Sequence, residues 1–304
     1  MLDSISRLMS DGVPHDPAYD VAVDPEAANN PHSAAIRLVG SGQRVLEVGC
    51  WSGHVTKHLV ARGNRVVGVE IDPGAAELAR AHAERVHVAD LDRTSLSSLE
   101  DGPFDVVVLG DVLEHLREPS ATLADAAALL APDGRFVISV PNIAHIDARM
   151  MLLQGEWQYH PDGLLDASHL RWFTHRSLRD LLAAVGFVAT QVERVRTPFG
   201  SSNLTFDRDV VAADLIRFAS ADPEAYTLQF VVEARRTGSD VLGAPDRVDW
   251  PVVGGGDGAA QRITDLERER DALQAEVDAW RNSKLVRYTR PARALYARLR
   301  DGRS

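Results

Sequence analysis

The sequence predicts an α/β fold, a doubly wound sheet with helices on both faces, and three observations predict it. Short apolar runs of strand length alternate with helix-length segments between residues 31 and 140. The first run, Val45, Leu46 and Val48, passes straight into a turn bracketed by Gly49 and Gly53. The second, Val66 to Val69, ends on an acid, Glu70.

The elements follow in order. Residues 1–30 are rich in Asp, Pro, Ala and Asn with little periodicity, and read as a leader or lid. His32 to Val39 is the helix that precedes the first strand. Val45 to Val48 is continuously apolar, as a strand buried on both faces requires. A helix starting near His54 aims its free N–H groups at the glycine turn. Val86 to Leu91 is a third strand carrying Asp90, and Val106 to Leu109 a fourth, followed by Gly110 and Asp111. Leu123, Ala127 and Leu130 fall at near-helical spacing and stop at the turn signal Pro132-Asp133-Gly134. Arg135 to Val140 is the fifth strand. Phe187 to Val195 and the β-prone Tyr226 to Ala234 are two more, with a helix-like stretch around Val210 to Phe218 between them.

The turn discriminates among nucleoside ligands. A dinucleotide-binding turn reads G-x-G-x-x-G. Here Gly49, Trp51 and His54 hold those places, so a pyrophosphate would meet a tryptophan where it needs bare backbone. A phosphate-binding loop with Gly-Lys-Ser/Thr is also missing. What remains is Glu47-x-Gly49-x-x-x-Gly53, with Glu70 ending the next strand, where a carboxylate can accept hydrogen bonds from both ribose hydroxyls.

With these residues the chain resembles the class I S-adenosylmethionine-dependent methyltransferases, whose first motif is D/E-x-G-x-G-x-G. Trp51 stands where that motif has its middle glycine. The phrases DGPFDVVV, EHL and LAPDGRFVISVPN resemble the same family, in its order. The resemblance spans residues 31–236 and implies a Rossmann-like doubly wound seven-stranded sheet with its last strand antiparallel. It implies S-adenosyl-L-methionine as cofactor, with Glu47, Gly49, Cys50, Gly53, Glu70, Ile71, Asp90, Leu91 and Asp111 as its candidate contacts. Asp90 would accept from the adenine amino group, Leu91 would pack on the ring, and the end of the fourth strand would meet the methionine part.

Composition bounds the rest. A net charge of −11 argues against general nucleic-acid binding, and no nucleic-acid partner is expected. The single cysteine, Cys50, excludes an internal disulfide and a multi-cysteine metal site, and makes a reducing, cytoplasmic setting the expectation. The N-terminus lacks the long apolar core of a signal peptide.

Residues 141–174 read as an acceptor-side insert beyond the carboxyl end of the fifth strand, where open α/β sheets bind ligands. They gather His145, Trp157, Tyr159, His160, Asp166, His169 and Trp172. Trp157, Tyr159 and Trp172 offer aromatic faces suited to sugar rings or another flat acceptor. The pattern GLLDxxHLRxFT resembles methyltransferases associated with bacterial cell-surface glycans and secondary metabolites. The expected reaction is methylation of a sugar or glycan hydroxyl. A small-molecule natural-product acceptor, or a non-catalytic scaffold of a glycan-assembly complex, are the alternatives. A hydroxyl acceptor needs a base, and His145 and His169 are the candidates, with Asp166 as orienting group or alternative base. His115 is expected to shape the pocket. A metal would need clustered carboxylates; Asp111 and Glu114 are near in sequence, but helix geometry and the usual role in the resembling family argue for no metal.

Residues 237–260 carry Gly, Pro, Asp and Ser and read as a linker. In 261–280, Ile263, Leu266, Leu273, Val277 and Trp280 fall on heptad steps, a seam suited to weak homo-oligomerisation. Residues 281–303 are basic and amphipathic, as a segment lying on an anionic membrane surface would be. Together, 261–304 form an expected helical tail.

Overall fold

The computed structural model describes residues 22–99 and 101–237. The tail over 261–304 and nearly all of the linker lie outside the described residues, as do residues 1–21 of the leader. In chain order the elements are α1 (Pro31–Val39), β1 (Arg44–Val48), α2 (Thr56–Ala61), β2 (Arg65–Glu70), α3 (Pro73–Ala79), β3 (Arg85–Val88), β4 (Phe104–Gly110), α4 (Pro119–Ala128), β5 (Leu130–Pro141), α5 (Ile146–Leu153), α6 (His175–Ala184), β6 (Phe187–Arg196), α7 (Ala213–Ser220) and β7 (Thr227–Arg236). The sheet has seven strands in the order β3-β2-β1-β4-β5-β7-β6. Strands β1 to β5 pair in parallel, and β7 runs antiparallel to both β5 and β6. The strand order therefore reverses between β1 and β4, which opens a crevice at their carboxyl ends.

Alternation along each strand supplies both faces of the sheet. Val45, Val66, Val106, Val108, Val137 and Val231 point to one side and pack with Ile36 and Val39 of α1 and Leu59 of α2. Leu46, Val48, Val107, Leu109, Phe136, Ile138 and Phe230 point to the other and pack with Leu123 of α4 and Leu178 and Leu182 of α6. The helices are started by local chemistry. Asn30 accepts from the Ser33 N–H with Pro31 at the first helical position, and Asp72 accepts from the Ala75 N–H. Thr174 and Ser177 close a reciprocal capping pair at α6.

Several boundaries differ from expectation. Leu130 belongs to β5, not to the helix before it, and Pro132-Asp133-Gly134 lies inside that strand instead of ending a helix. Leu130 pairs with Phe104 and Arg135 with Val106, so a bulge absorbs the proline, which has no N–H for the ladder. Strand β3 ends at Val88, leaving Asp90 in the loop beyond it. The end of the leader is packed: Val23 is buried in the core, and Asn29 exchanges two hydrogen bonds with the Arg196 backbone. Among the described residues no helix is long and apolar enough to cross a membrane.

Candidate active site

The turn after β1 is latched to the end of β2. The Gly49 and Cys50 N–H groups donate to the Val69 carbonyl at 2.8 and 3.2 Å. The Trp51 N–H donates to Glu70 Oε2 at 2.9 Å, and the Ile71 and Asp72 N–H groups donate to Glu70 Oε1, each at 2.8 Å. Burial is the largest influence on the Glu70 carboxyl and raises its pKa despite these three donors. A carboxylate has about four lone-pair sites, so Glu70 keeps an acceptor site for a ribose hydroxyl. Gly49 has φ +71°, and a Cβ there would lie 2.6 Å from Val112 Cγ2, so only glycine lets the turn pass this close to β4.

Trp51 is also left-handed, at φ +45°. The family motif's middle glycine sits at this position for the same reason, since the left-handed region costs an L side chain ~1–2 kcal/mol. Trp51 meets that cost with the same backbone shape. Cys50 is buried, and its Sγ lies 2.7 Å from where a Cβ on Gly68 would be. Its thiol packs with Ala76, Ala79 and Val86, and burial holds its pKa well above the usual range, so any cofactor contact falls to its backbone. Glu47 is 4% exposed and accepts from Thr56 Oγ1 at 2.6 Å. It ties β1 to the first residue of α2 across the turn.

The surface beside Glu70 fits a nucleoside. Ile71 is 62% exposed and Val88 46% exposed, apolar side chains left in solvent next to a buried acid. Leu91 is partly buried against the core, and Asp90 Oδ1 turns in to its own loop, accepting from the Asp92 N–H. A flat ring between Ile71 and Leu91 would cover this apolar surface, with Asp90 at its edge. A Cβ on Gly110, at the end of β4, would meet nothing within 4 Å, which leaves room for the rest of the cofactor.

A second group of polar residues stands where β4 ends. Asp111 has φ +54° and accepts from Gln229 Nε2, which also donates to Ser139 Oγ at 2.6 Å. Burial raises the Asp111 pKa, opposed by the nearby His32 and His115. The next residues form a single 3₁₀ turn, Leu113–His115. The helix opening expected at this point is thus confined to one turn. Glu114, His115 and His169 each bring one ligating atom within 4.8 Å of the others. Glu114 Oε2 is buried without a hydrogen-bond partner, and burial, then the Asp111 charge, pushes the Glu114 carboxyl well above its ordinary range.

The histidines are oriented from behind. Ser168 Oγ donates to Asp166 Oδ1 at 2.6 Å, so towards His115 Nδ1, 3.1 Å away, it can only accept. His169 Nδ1 lies 3.3 Å from the Leu164 carbonyl, which also only accepts. Each neutral ring thus carries its proton on Nδ1 and its lone pair on Nε2. The two rings meet edge to face at 4.8 Å. Burial, then His115, lowers the His169 pKa. The insert is fastened to this turn, because the Leu170 and Arg171 N–H groups both donate to the Glu114 carbonyl, at 2.8 and 2.9 Å.

Of the three residues expected to act as base or orienting group, His169 and Asp166 come to this point and His145 does not. His145 is 0% exposed, its Nδ1 accepts from the Asp147 N–H, and its Nε2 donates to the Thr197 carbonyl. It caps α5 and joins it to the chain after β6, with no ring nitrogen left for a substrate. The aromatic residues do assemble. Trp157 stands edge to face with Trp172 at 5.3 Å and with Tyr159 at 6.2 Å, while Trp157 and Tyr159 remain 38% and 59% exposed. Sequence reasoning missed His32, Ser139, Ser168 and Gln229. Of these only His32 left a signal, since a helix before the first strand of such a sheet begins at the carboxyl edge. His32 meets His54 edge to face at 5.1 Å there.

The chain is similar to several known proteins. A family model described as a methyltransferase domain matches residues 23–192. A ubiquinone biosynthesis O-methyltransferase of Cereibacter sphaeroides is 30% identical over 172 residues, covering 55% of this chain and 69% of that protein. One from Neisseria meningitidis is 35% identical over 107 residues, covering 33% and 45%. The chain spans about half the length of several curated relatives it matches. A solved 1,6-didemethyltoxoflavin-N1-methyltransferase of Burkholderia thailandensis, with S-adenosylhomocysteine bound, is 26% identical with a TM-score of 0.46, over 78% of this chain and 87% of that one. The match over more than half of the sequence, on a seven-stranded sheet with one reversed strand, places the chain in the methyltransferase-domain family of class I S-adenosylmethionine-dependent enzymes.

Proposed function

We propose that this protein is an O-methyltransferase that methylates a hydroxyl of a sugar or glycan. The observation that carries the reading is the edge-to-face group of Trp157, Trp172 and Tyr159, two of them exposed, on the insert fastened to the Glu114 turn. S-adenosylmethionine supplies an electrophilic methyl on a sulfonium, so the chain's task is alignment and proton removal. Glu70, Ile71, Asp90 and Leu91 would hold the nucleoside. The aromatic faces would hold the acceptor ring, and loss of the hydroxyl proton is assisted at the Glu114–His115–His169 group, with Asp166 and Ser168 orienting it.

A small-molecule acceptor is the second reading, favoured by relatives named ubiquinone biosynthesis O-methyltransferases. Purified protein with methyl-labelled cofactor, offered oligosaccharides and low-molecular-weight phenols in parallel, separates them. Mass gain of one CH₂ on an oligosaccharide supports the first reading, and gain on phenols alone overturns it. Cofactor binding without transfer to any acceptor would favour a scaffold role. The setting we propose is cytoplasmic, peripheral at the membrane through the basic segment 281–303, with weak self-association through 261–280. Unchanged binding to anionic vesicles after deletion of 261–304 would overturn the anchor.

A further inference from the structure

We propose that Glu114, His115 and His169 form a site for a divalent transition-metal cation at the acceptor side of the cofactor crevice. The inference rests on the methyltransferase reading for its role, but not for its chemistry.

Three observations converge. First, one carboxylate and two imidazoles from two separate segments, the turn after β4 and the insert, bring their ligating atoms within 4.8 Å of one another. Bonds of ~2.0–2.2 Å to a shared ion would set such atoms ~3–3.5 Å apart, so those at the far end of this range must draw together when the ion binds. Second, Glu114 is 1% exposed and its Oε2 has no hydrogen-bond partner. A buried carboxylate oxygen left in this way is unfavourable, and a cation removes that cost. Third, both rings are prepared as ligands typically are, with Nδ1 committed and Nε2 bearing the lone pair. His169 donates to the Leu164 carbonyl, and His115 donates to Ser168, which donates to Asp166. Support of this kind, fixing tautomer and ring direction, is the usual surrounding of metal-bound histidine. The Glu114 carboxyl has Asp111 as its side-chain neighbour, yet Oε2 stays without a hydrogen bond, which a purely structural histidine pair does not require beside it.

The donor set selects the ion. Two imidazoles and one carboxylate suit Zn²⁺, Mn²⁺, Co²⁺ or Fe²⁺, and an all-oxygen environment for Mg²⁺ or Ca²⁺ is not present. Three protein ligands leave coordination positions open. An acceptor hydroxyl entering one of them would be polarised and would release its proton to water more readily. Asp111 interacts with Glu114 and His115 and stands at the edge of the site.

Protein stripped with chelator and titrated with Co²⁺ by calorimetry and visible absorption tests the site. The expected result is one Co²⁺ per chain with a d–d spectrum of mixed nitrogen and oxygen ligation, displaced by Zn²⁺. Glu114→Gln and His115→Ala should weaken the affinity at least 100-fold, and Asp166→Asn about 10-fold, since loss of a supporting partner costs 10–100-fold. S-adenosylmethionine affinity, measured on the same samples, should stay within about threefold and show that each variant is folded. No uptake of Co²⁺, Mn²⁺ or Zn²⁺, or equal uptake by Glu114→Gln and His115→Ala, overturns the site. Binding as described, with methyl transfer unaffected by chelation, overturns its role in holding the acceptor. Absence of any methylated acceptor would bear on the methyltransferase reading alone, because the titration does not depend on turnover.

Discussion

Replacing Glu47 with glutamine should remove about 3 kcal/mol of this protein's loss of stability towards alkaline pH. The carboxyl is 4% exposed at the end of β1, and its hydrogen bond from Thr56 Oγ1 is 2.6 Å long. Burial raises its pKa from 4.5 to about 7, the Thr56 hydroxyl opposing this only in part. Between these values the folded chain holds a proton that the unfolded chain has released. Stability associated with neutral Glu47 is therefore complete below 4.5 and lost as the pH rises through 7. A shift of about 2.5 units at ~1.36 kcal/mol each gives a penalty of ~3 kcal/mol above pH 8. Glutamine keeps an acceptor oxygen for Thr56 and has nothing to ionise. Urea and thermal unfolding of both proteins at about pH 5 and pH 8.5 measure the difference. The two should agree within about 1 kcal/mol at the lower pH. At the higher pH the variant should be more stable by ~3 kcal/mol, or ~6–12 °C in Tm at this size. The raised carboxyls Glu70, Asp111 and Glu114 titrate in both proteins, so the comparison isolates Glu47. Parallel pH dependence in the two proteins would refute the assignment of this penalty to Glu47.

Two further outcomes follow from the turn. Glu70→Gln should weaken S-adenosylmethionine binding by about 10- to 100-fold in calorimetry, as expected for loss of a charged hydrogen-bond acceptor worth ~1.5–3 kcal/mol; unchanged affinity would remove Glu70 from the ribose site. Trp51→Gly should retain cofactor affinity within about threefold, because the latch to Glu70 uses backbone N–H, whereas Trp51→Val, β-branched at positive φ, should lose ~1–2 kcal/mol of stability. Equal stability of the two variants in urea unfolding would show that the left-handed backbone carries no such cost.

The sheet was legible because its signals are local and periodic. Val45 to Val48 and Val106 to Leu109 are apolar on both faces, and buried parallel strands leave such runs. The turn was legible because Gly49 and Gly53 mark positive φ, and Trp51 was puzzling for the same reason: a non-glycine in the left-handed region leaves no sequence trace. The strand start at Leu130 was hidden by Pro132, because a bulge rescues a proline that pattern alone reads as a turn. The polar group was the least legible. Glu114 and His115 are adjacent, but His169 lies 54 positions beyond His115, and only the fastening of the insert brings it back. His145 misled because its surroundings in sequence resemble those of His169, while its two ring nitrogens are consumed by a helix cap and a long-range carbonyl.

The double attachment at the Glu114 carbonyl has a consequence for how the acceptor preference of such a protein can change. The insert is pinned near its beginning by Asn142, which pairs with Phe173, and near its end by the Leu170 and Arg171 N–H groups. Residues 155–162 between these points are mostly exposed and carry Trp157 and Tyr159. That short span can be lengthened, shortened or rewritten while both moorings and the cofactor turn keep their places. Under the proposed acceptor reading, acceptor choice is an exchangeable part on a fixed frame, and an exchange of 155–162 between relatives offers a compact route to redirecting it.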